Sequence, residues 1–100
     1  VEVYRQATLL DTLSAELFNN MGIALLGLER FDEAEKSFNR AIGIEQEYAE
    51  PYFNLGNLYR KLDRKQDALK SYRRFLDVWK GGEGPRKRAL RIIRDLESDG

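Results

Sequence analysis

The chain contains neither cysteine nor histidine, and it has only two prolines, one tryptophan and one methionine. Without cysteine there is no disulfide, no thiolate nucleophile and no thiolate metal site. Without histidine the commonest general base and the commonest metal ligand are both missing. No apolar run approaches the length of a membrane span, and no signal-peptide pattern opens the chain. What remains is 42% hydrophobic and 34% charged over 100 residues, enough for one domain. That mixture suits amphipathic helices with solvated outer faces.

The net charge is zero, but its distribution is uneven. Residues 1–59 carry 4 Lys/Arg against 10 Asp/Glu, and residues 60–94 carry 13 against 4. One end of the molecule is therefore acidic and the other basic.

An internal repeat organises this composition. Shifted by 34 residues, the sequence matches itself at Ala15/Ala49, Glu16/Glu50, Asn20/Asn54, Gly22/Gly56, Leu28/Leu62, Arg30/Arg64, Ala34/Ala68, Lys36/Lys70, Ser37/Ser71 and Arg40/Arg74. Those ten identities compare with roughly two by chance. Each copy reads as two helices. Phe18, Met21, Leu25 and Leu28 form one stripe at helical spacing, and Phe31, Ala34, Phe38, Ala41 and Ile42 form another. Tyr52, Leu55, Tyr59 and Leu62, then Ala68, Tyr72, Phe75 and Leu76, repeat the design. Gly22 with Ala34, and Gly56 with Ala68, read as matched close-contact points between the two helices of a hairpin. A glycine inside a helix costs about 1 kcal/mol relative to alanine, so its recurrence in register needs a packing reason.

This pattern resembles the tetratricopeptide repeat. The residues that carry the match are Phe18, Met21-Gly22, Leu25, Ala34, Phe38 and Ala41, then Tyr52, Leu55-Gly56, Tyr59, Ala68 and Tyr72. The resemblance implies an all-α fold, a right-handed superhelical solenoid of antiparallel helix hairpins. Two departures stand out. The proline that often closes a repeat is replaced by Gln46 and Lys80, and Phe75 stands where a small residue is expected, which points to a terminal arrangement. The expected organisation is residues 15–48 as the first repeat and 49–82 as the second. Residues 1–14 are expected to be the second helix of a preceding partial repeat, or a cap, because Tyr4-Arg5-Gln6-Ala7 aligns one period upstream of Phe38-Asn39-Arg40-Ala41. Gly81-Gly82-Glu83-Gly84-Pro85 is a breaker whose spacing does not fit a phosphate-binding loop. Residues 85–98 follow as a capping helix with Ala89, Leu90, Ile92, Ile93 and Leu96 on its apolar side and Arg86, Lys87, Arg88, Arg91 and Arg94 elsewhere.

The chain is not expected to be an enzyme, and no cofactor or metal is expected. Its carboxylates, such as Asp32-Glu33-Glu35, fall on helix faces that water normally solvates. Binding is the function that the resemblance implies: a protein–protein interaction scaffold that takes a peptide or partner segment in a concave groove. The positions implied to face that groove are Asn19, Ile23 and Leu26, with Glu16 and Gly27, in the first copy. In the second they are Phe53, Asn57, Arg60 and Lys61, with Glu50. Asn19 and Asn57 would hydrogen-bond a guest backbone, and Arg60 and Lys61 would pair with acidic groups. Some family members capture a chaperone's C-terminal carboxylate, but Asn19 and Ile23 replace residues that such capture requires. The alternative function is self-association, with the acidic front of one copy meeting the basic back of the next. A nucleic-acid or phosphate-binding role for the basic last helix is disfavoured, because no aromatic residues follow Trp79 for base stacking.

Overall fold

A computed structural model describes residues 8–98. The order of elements is α1 (Leu9–Gly27), α2 (Phe31–Ile44), α3 (Glu50–Lys61), α4 (Lys65–Val78) and α5 (Glu83–Ser98), with no strand among the described residues. α1 pairs with α2 and α3 with α4 in two hairpins. α2 packs on α3 between the hairpins, and α5 packs on α4 at the far end.

The break expected between residues 14 and 15 is absent: α1 runs unbroken from Leu9 to Gly27. Neither glycine nor proline interrupts Leu9–Ala15, and the helix starts at a capping box instead. The Thr8 hydroxyl accepts from the Asp11 backbone N–H at 3.0 Å, and the Asp11 carboxylate accepts from the Thr8 N–H at 3.3 Å. Tyr4–Ala7 lie outside the described residues.

Both hairpins turn by the same device. Glu29 and Asp63 adopt left-handed backbone angles, with φ of 62° and 60°. The Arg30 N–H then reaches the Leu25 carbonyl at 2.9 Å, and the Arg64 N–H reaches Tyr59 at 2.8 Å. These are the long bonds of a Schellman closure, which satisfies carbonyls that a helix end leaves unpaired.

The glycines are explained by contact with rings rather than with the matched alanines. A Cβ placed on Gly22 would stand 2.5 Å from the Phe38 ring, and one on Gly56 would stand 2.6 Å from the Tyr72 ring. Ala34 and Ala68, one turn earlier on the facing helices, are fully buried beside those rings. Two residues expected in the first packing stripe are exposed: Met21 at 44% and Leu28 at 66%. Their counterparts Leu55 and Leu62 pack against α2, whereas α1 has no helix on the corresponding side among the described residues. Leu90 also faces outward from α5, which buries Ala89 and Ile93 instead.

At the far end α5 seals the stack. Ala89 closes over Phe75, Ala49 and Tyr52, and Ile93 packs with Ala68, Leu69 and Tyr72. The bulk of Phe75 is thus met by a small residue on α5.

This packing sets two expected outcomes. Gly56→Ala gains about 1 kcal/mol in helix propensity but drives a methyl into the Tyr72 ring, so chemical denaturation should show a net loss of about 1–2 kcal/mol. Gly43, inside α2, has open space where a methyl would stand, with nothing within 4 Å, and Gly43→Ala should stabilise by up to about 1 kcal/mol. If both variants move stability in the same direction, the ring-on-glycine contact is not the reason for Gly56. The second outcome concerns pH. Burial is the main cause that raises the hydroxyl pKa of Tyr48, Tyr59 and Tyr72, assisted by Glu50 at Tyr48 and Glu35 at Tyr59, and opposed by Arg60 at Tyr72. A raised folded-state value means the unfolded chain ionises first. Stability is therefore fully present below about pH 10 and is lost as pH rises through the folded values. In an alkaline titration these three tyrosinates should appear only together with loss of helical circular dichroism. Their appearance while the helices stay intact would contradict the burial.

Candidate interaction groove

The groove-side residues come mainly from three elements, with Phe75 added from α4. α1 supplies Asn19, Asn20 and Ile23, α3 supplies Glu50, Phe53 and Asn54, and α5 supplies Pro85 and Arg88. Together with Phe75, Trp79 and Gly84 they line an open groove of about 620 Å³.

Its floor is an aromatic run. Phe53 meets Tyr72 edge-on at 5.2 Å between centroids, and meets Phe75 the same way at 5.2 Å; Phe75 then stacks on Trp79 at 5.3 Å. Such contacts hold the rings in fixed orientation beyond what area burial alone supplies. Trp79 is pinned further, because its indole N–H donates to the Gly82 carbonyl at 2.9 Å. Gly81 permits this wrap, since a Cβ there would collide with the indole. Over the other side of Phe53 stands the Arg88 guanidinium, 5.6 Å from the ring centroid, a cation–π contact contributed by α5.

Asn19 is almost wholly buried, at 3% exposure, and its amide is already engaged. Its nitrogen donates to the Tyr48 hydroxyl at 3.3 Å, and its oxygen accepts from the Asn54 amide at 2.9 Å. It therefore ties α1 to α3 and to the segment that enters α3, and it sets the groove's width rather than offering a free amide. Ile23, one turn further along α1, is 47% exposed at the groove wall. Phe53 is half-buried and belongs both to the wall and to the packed clusters behind it.

The other implied positions are dispersed. Leu26 lies on the side of α1 that faces α2 and packs against the cluster of Ala34, Phe38, Leu55 and Leu58, so it is a core residue rather than a groove residue. Asn57 and Arg60 both bind the Tyr72 hydroxyl: Asn57 accepts its proton, and the Arg60 guanidinium donates to its oxygen at 3.2 Å. Asn57 is thereby turned toward α4. Arg60 lines a separate cleft with Asp63, Lys65, Ile92, Asp95 and Leu96. Lys61 is exposed in the last turn of α3 and lines neither of these surfaces. Sequence pattern brings Asn19, Ile23 and Phe53 together and misses Asn20, Asn54, Trp79 and Arg88. Asn20 and Asn54 carry a signal, since they are an identical pair at the repeat period. Arg88 carries none, because its place depends on how α5 docks.

Chemically, the groove offers an apolar floor, carboxamides on one wall, one carboxylate and one guanidinium. Groups of that kind recognise an extended chain: apolar side chains settle on rings, and amides exchange hydrogen bonds with a backbone. Among the described residues no cluster of carboxylates could hold a metal ion, and no helix is long and apolar enough to cross a membrane.

Comparison with known proteins agrees with the geometry. The human and mouse proteins named Protein O-mannosyl-transferase TMTC3 are each 30% identical over 70 residues, covering 70% of this chain and 8% of the relative. Tetratricopeptide repeat protein 37 of Xenopus laevis is 28% identical over 88 residues, covering 82% of this chain and 6% of the relative. The chain thus spans less than a tenth of the length of these relatives. Residues 13–81 match the tetratricopeptide-repeat family, whose members generally mediate protein–protein interaction. The two helix hairpins, the glycines under aromatic rings and this match together place the chain in the tetratricopeptide-repeat family.

Proposed function

We propose that this module holds a short segment of a partner protein in the groove between α1, α3 and α5. The observation that carries this reading is the convergence on one open surface of an exposed Ile23, the edge of Phe53 and the Asn20 and Asn54 amides. A guest apolar side chain would seat against Ile23 and Phe53. Asn54 keeps its oxygen for a guest N–H while its nitrogen is bound to Asn19. Glu50 from α3 and Arg88 from α5 would favour a guest that carries both a cation and an anion. The preformed aromatic floor lowers the entropic cost of binding, because little must be ordered when the guest arrives.

The module acts here as a scaffold. The transferase in the name of two relatives is said of proteins that this chain overlaps over only 8% of their length, and the groove's residues include no nucleophile–base pair.

Peptides selected from a displayed library against the intact chain provide the test. Ile23→Asp should weaken the selected peptides by about tenfold or more, equivalent to about 1.4 kcal/mol, while thermal melts stay close to the parent. Phe53 is unsuitable for this purpose, since its ring also supports Tyr72 and Phe75. Leu90→Asp, on the outward face of α5, should leave binding unchanged. Unaltered affinity in Ile23→Asp, or loss in Leu90→Asp, would place the binding surface elsewhere.

A further inference from the structure

α5 carries a second surface, distinct from the groove. Four positions of α3 meet a single side chain of α4, Tyr72: Phe53 against its ring, Gly56 beneath the ring, and Asn57 and Arg60 at its hydroxyl. One repeat period on, these positions become Lys87, Leu90, Arg91 and Arg94. All four are exposed. At 100° per residue Lys87, Arg91 and Arg94 fall within an arc of about 60°. That arc lies away from Ala89 and Ile93, which pack on the hairpin before them.

This face does not continue the repeat, whatever chain follows it. Leu90 fills the place that glycine leaves for a ring in both hairpins. A helix seated here as α4 sits on α3 would strike that side chain and bury three cations, and burying a charge without a partner is strongly unfavourable. The face is not balanced by its own chain either. Arg30, Arg64, Arg73 and Arg74 each pair with a carboxylate. Lys87, Arg91 and Arg94 have no ion-pair partner among the described residues. Helix stability does not account for the charges, because α5 has no cation in its last turn and sets Asp95 and Glu97 there, against the helix dipole.

We infer that the face of Lys87, Arg91 and Arg94 docks a short acidic helix of a partner protein. The three cations stand four and three residues apart, about 6 and 4.5 Å along the axis. Carboxylates at the same spacing on a partner helix lie opposite them in register, and charge complementarity of this kind fixes orientation and partner choice. The footprint is short, because Glu83 precedes the cations and Asp95 and Glu97 follow them. A compact carboxylate cluster fits between those acids, whereas a nucleic-acid backbone or a bilayer surface would run on into them. The rest of the molecule also repels an extended polyanion, since residues 1–59 carry 4 Lys/Arg against 10 Asp/Glu. The face is polar and solvated, so the complex is weak and salt-sensitive.

Fluorescence anisotropy with the intact chain tests this. The probe is a labelled helical peptide whose three glutamates stand four and three residues apart. Arg91→Glu should weaken binding by about fivefold or more with unchanged helical content, since the residue it replaces is exposed. A peptide whose middle glutamate is changed to lysine should regain affinity for that variant and lose it for the parent. Lys36→Glu, the same change of charge on the exposed side of α2, should alter the affinity by less than about twofold. Ile23→Asp should likewise leave this peptide's binding unchanged, which separates the α5 face from the groove. Equal losses in Arg91→Glu and Lys36→Glu would reduce the effect to net charge and overturn the site. So would tighter binding of a single-stranded oligonucleotide, or of vesicles containing phosphatidylserine, than of the peptide. Neither result would touch the groove reading.

Discussion

Everything in this molecule depends on an aromatic ring pressed against bare helix backbone. Phe38 fills the space left at Gly22, and Tyr72 fills the space left at Gly56, with ring carbons so close that no Cβ could intervene. The contact sets how near the two helices of each hairpin approach, and so sets the hairpin's shape. Because the same contact recurs 34 residues later, the second hairpin has the same form as the first. Its cost, a glycine in each helix interior, is about 1 kcal/mol and is offset by burying a whole ring at zero exposure.

The groove is a consequence of that geometry, finished by polar bonds. With both hairpins fixed, α1 and α3 lie side by side, and Asn19 bridges them through Tyr48 and Asn54. A buried amide with both ends satisfied specifies a register that apolar contact alone would leave free to slide. Tyr72 works in two directions. Its ring covers Gly56, while its hydroxyl holds Asn57 and Arg60 away from the groove. One side chain thus joins the packing of the hairpin to the selection of which α3 residues are free to meet a guest.

The hairpins were legible in the sequence because they rest on local periodicity: the 34-residue repeat, the spacing of Phe18, Leu25, Ala34 and Phe38, and the turn residues between them. The partner of each glycine was harder to read. Spacing suggested Ala34, but the gap belongs to the ring one turn further along, and residue type alone does not say which of two neighbours projects into it. The groove was legible only in part. Ile23 and Phe53 stand where helical phase puts them, but Leu26 is one residue away from that phase and falls into the core. Asn57 and Arg60 have the right phase to be available, and a hydrogen-bond partner on another helix claims them. Arg88 is set by the docking of α5, a tertiary fact with no local signature.

α1 and α5 flank the two hairpins in different ways, and the difference bears on how α1 works. At the far end α5 brings Ala89 over Phe75, so the last hairpin is closed by its own chain. At the near end α1 presents leucines in a phase that α3 hides beneath α2. α1 therefore has three sides: one is buried and meets the Phe38 ring of α2 at Gly22, one opens to the groove through Asn20 and Ile23, and one is the leucine stripe. Helical geometry separates the Ile23 wall from the stripe, since Ile23 stands about 120° from Leu17 around the axis. A helix laid along the stripe consequently leaves the Ile23 wall open. Contacts made on the stripe and in the groove can then proceed on the same helix without competing for the same atoms.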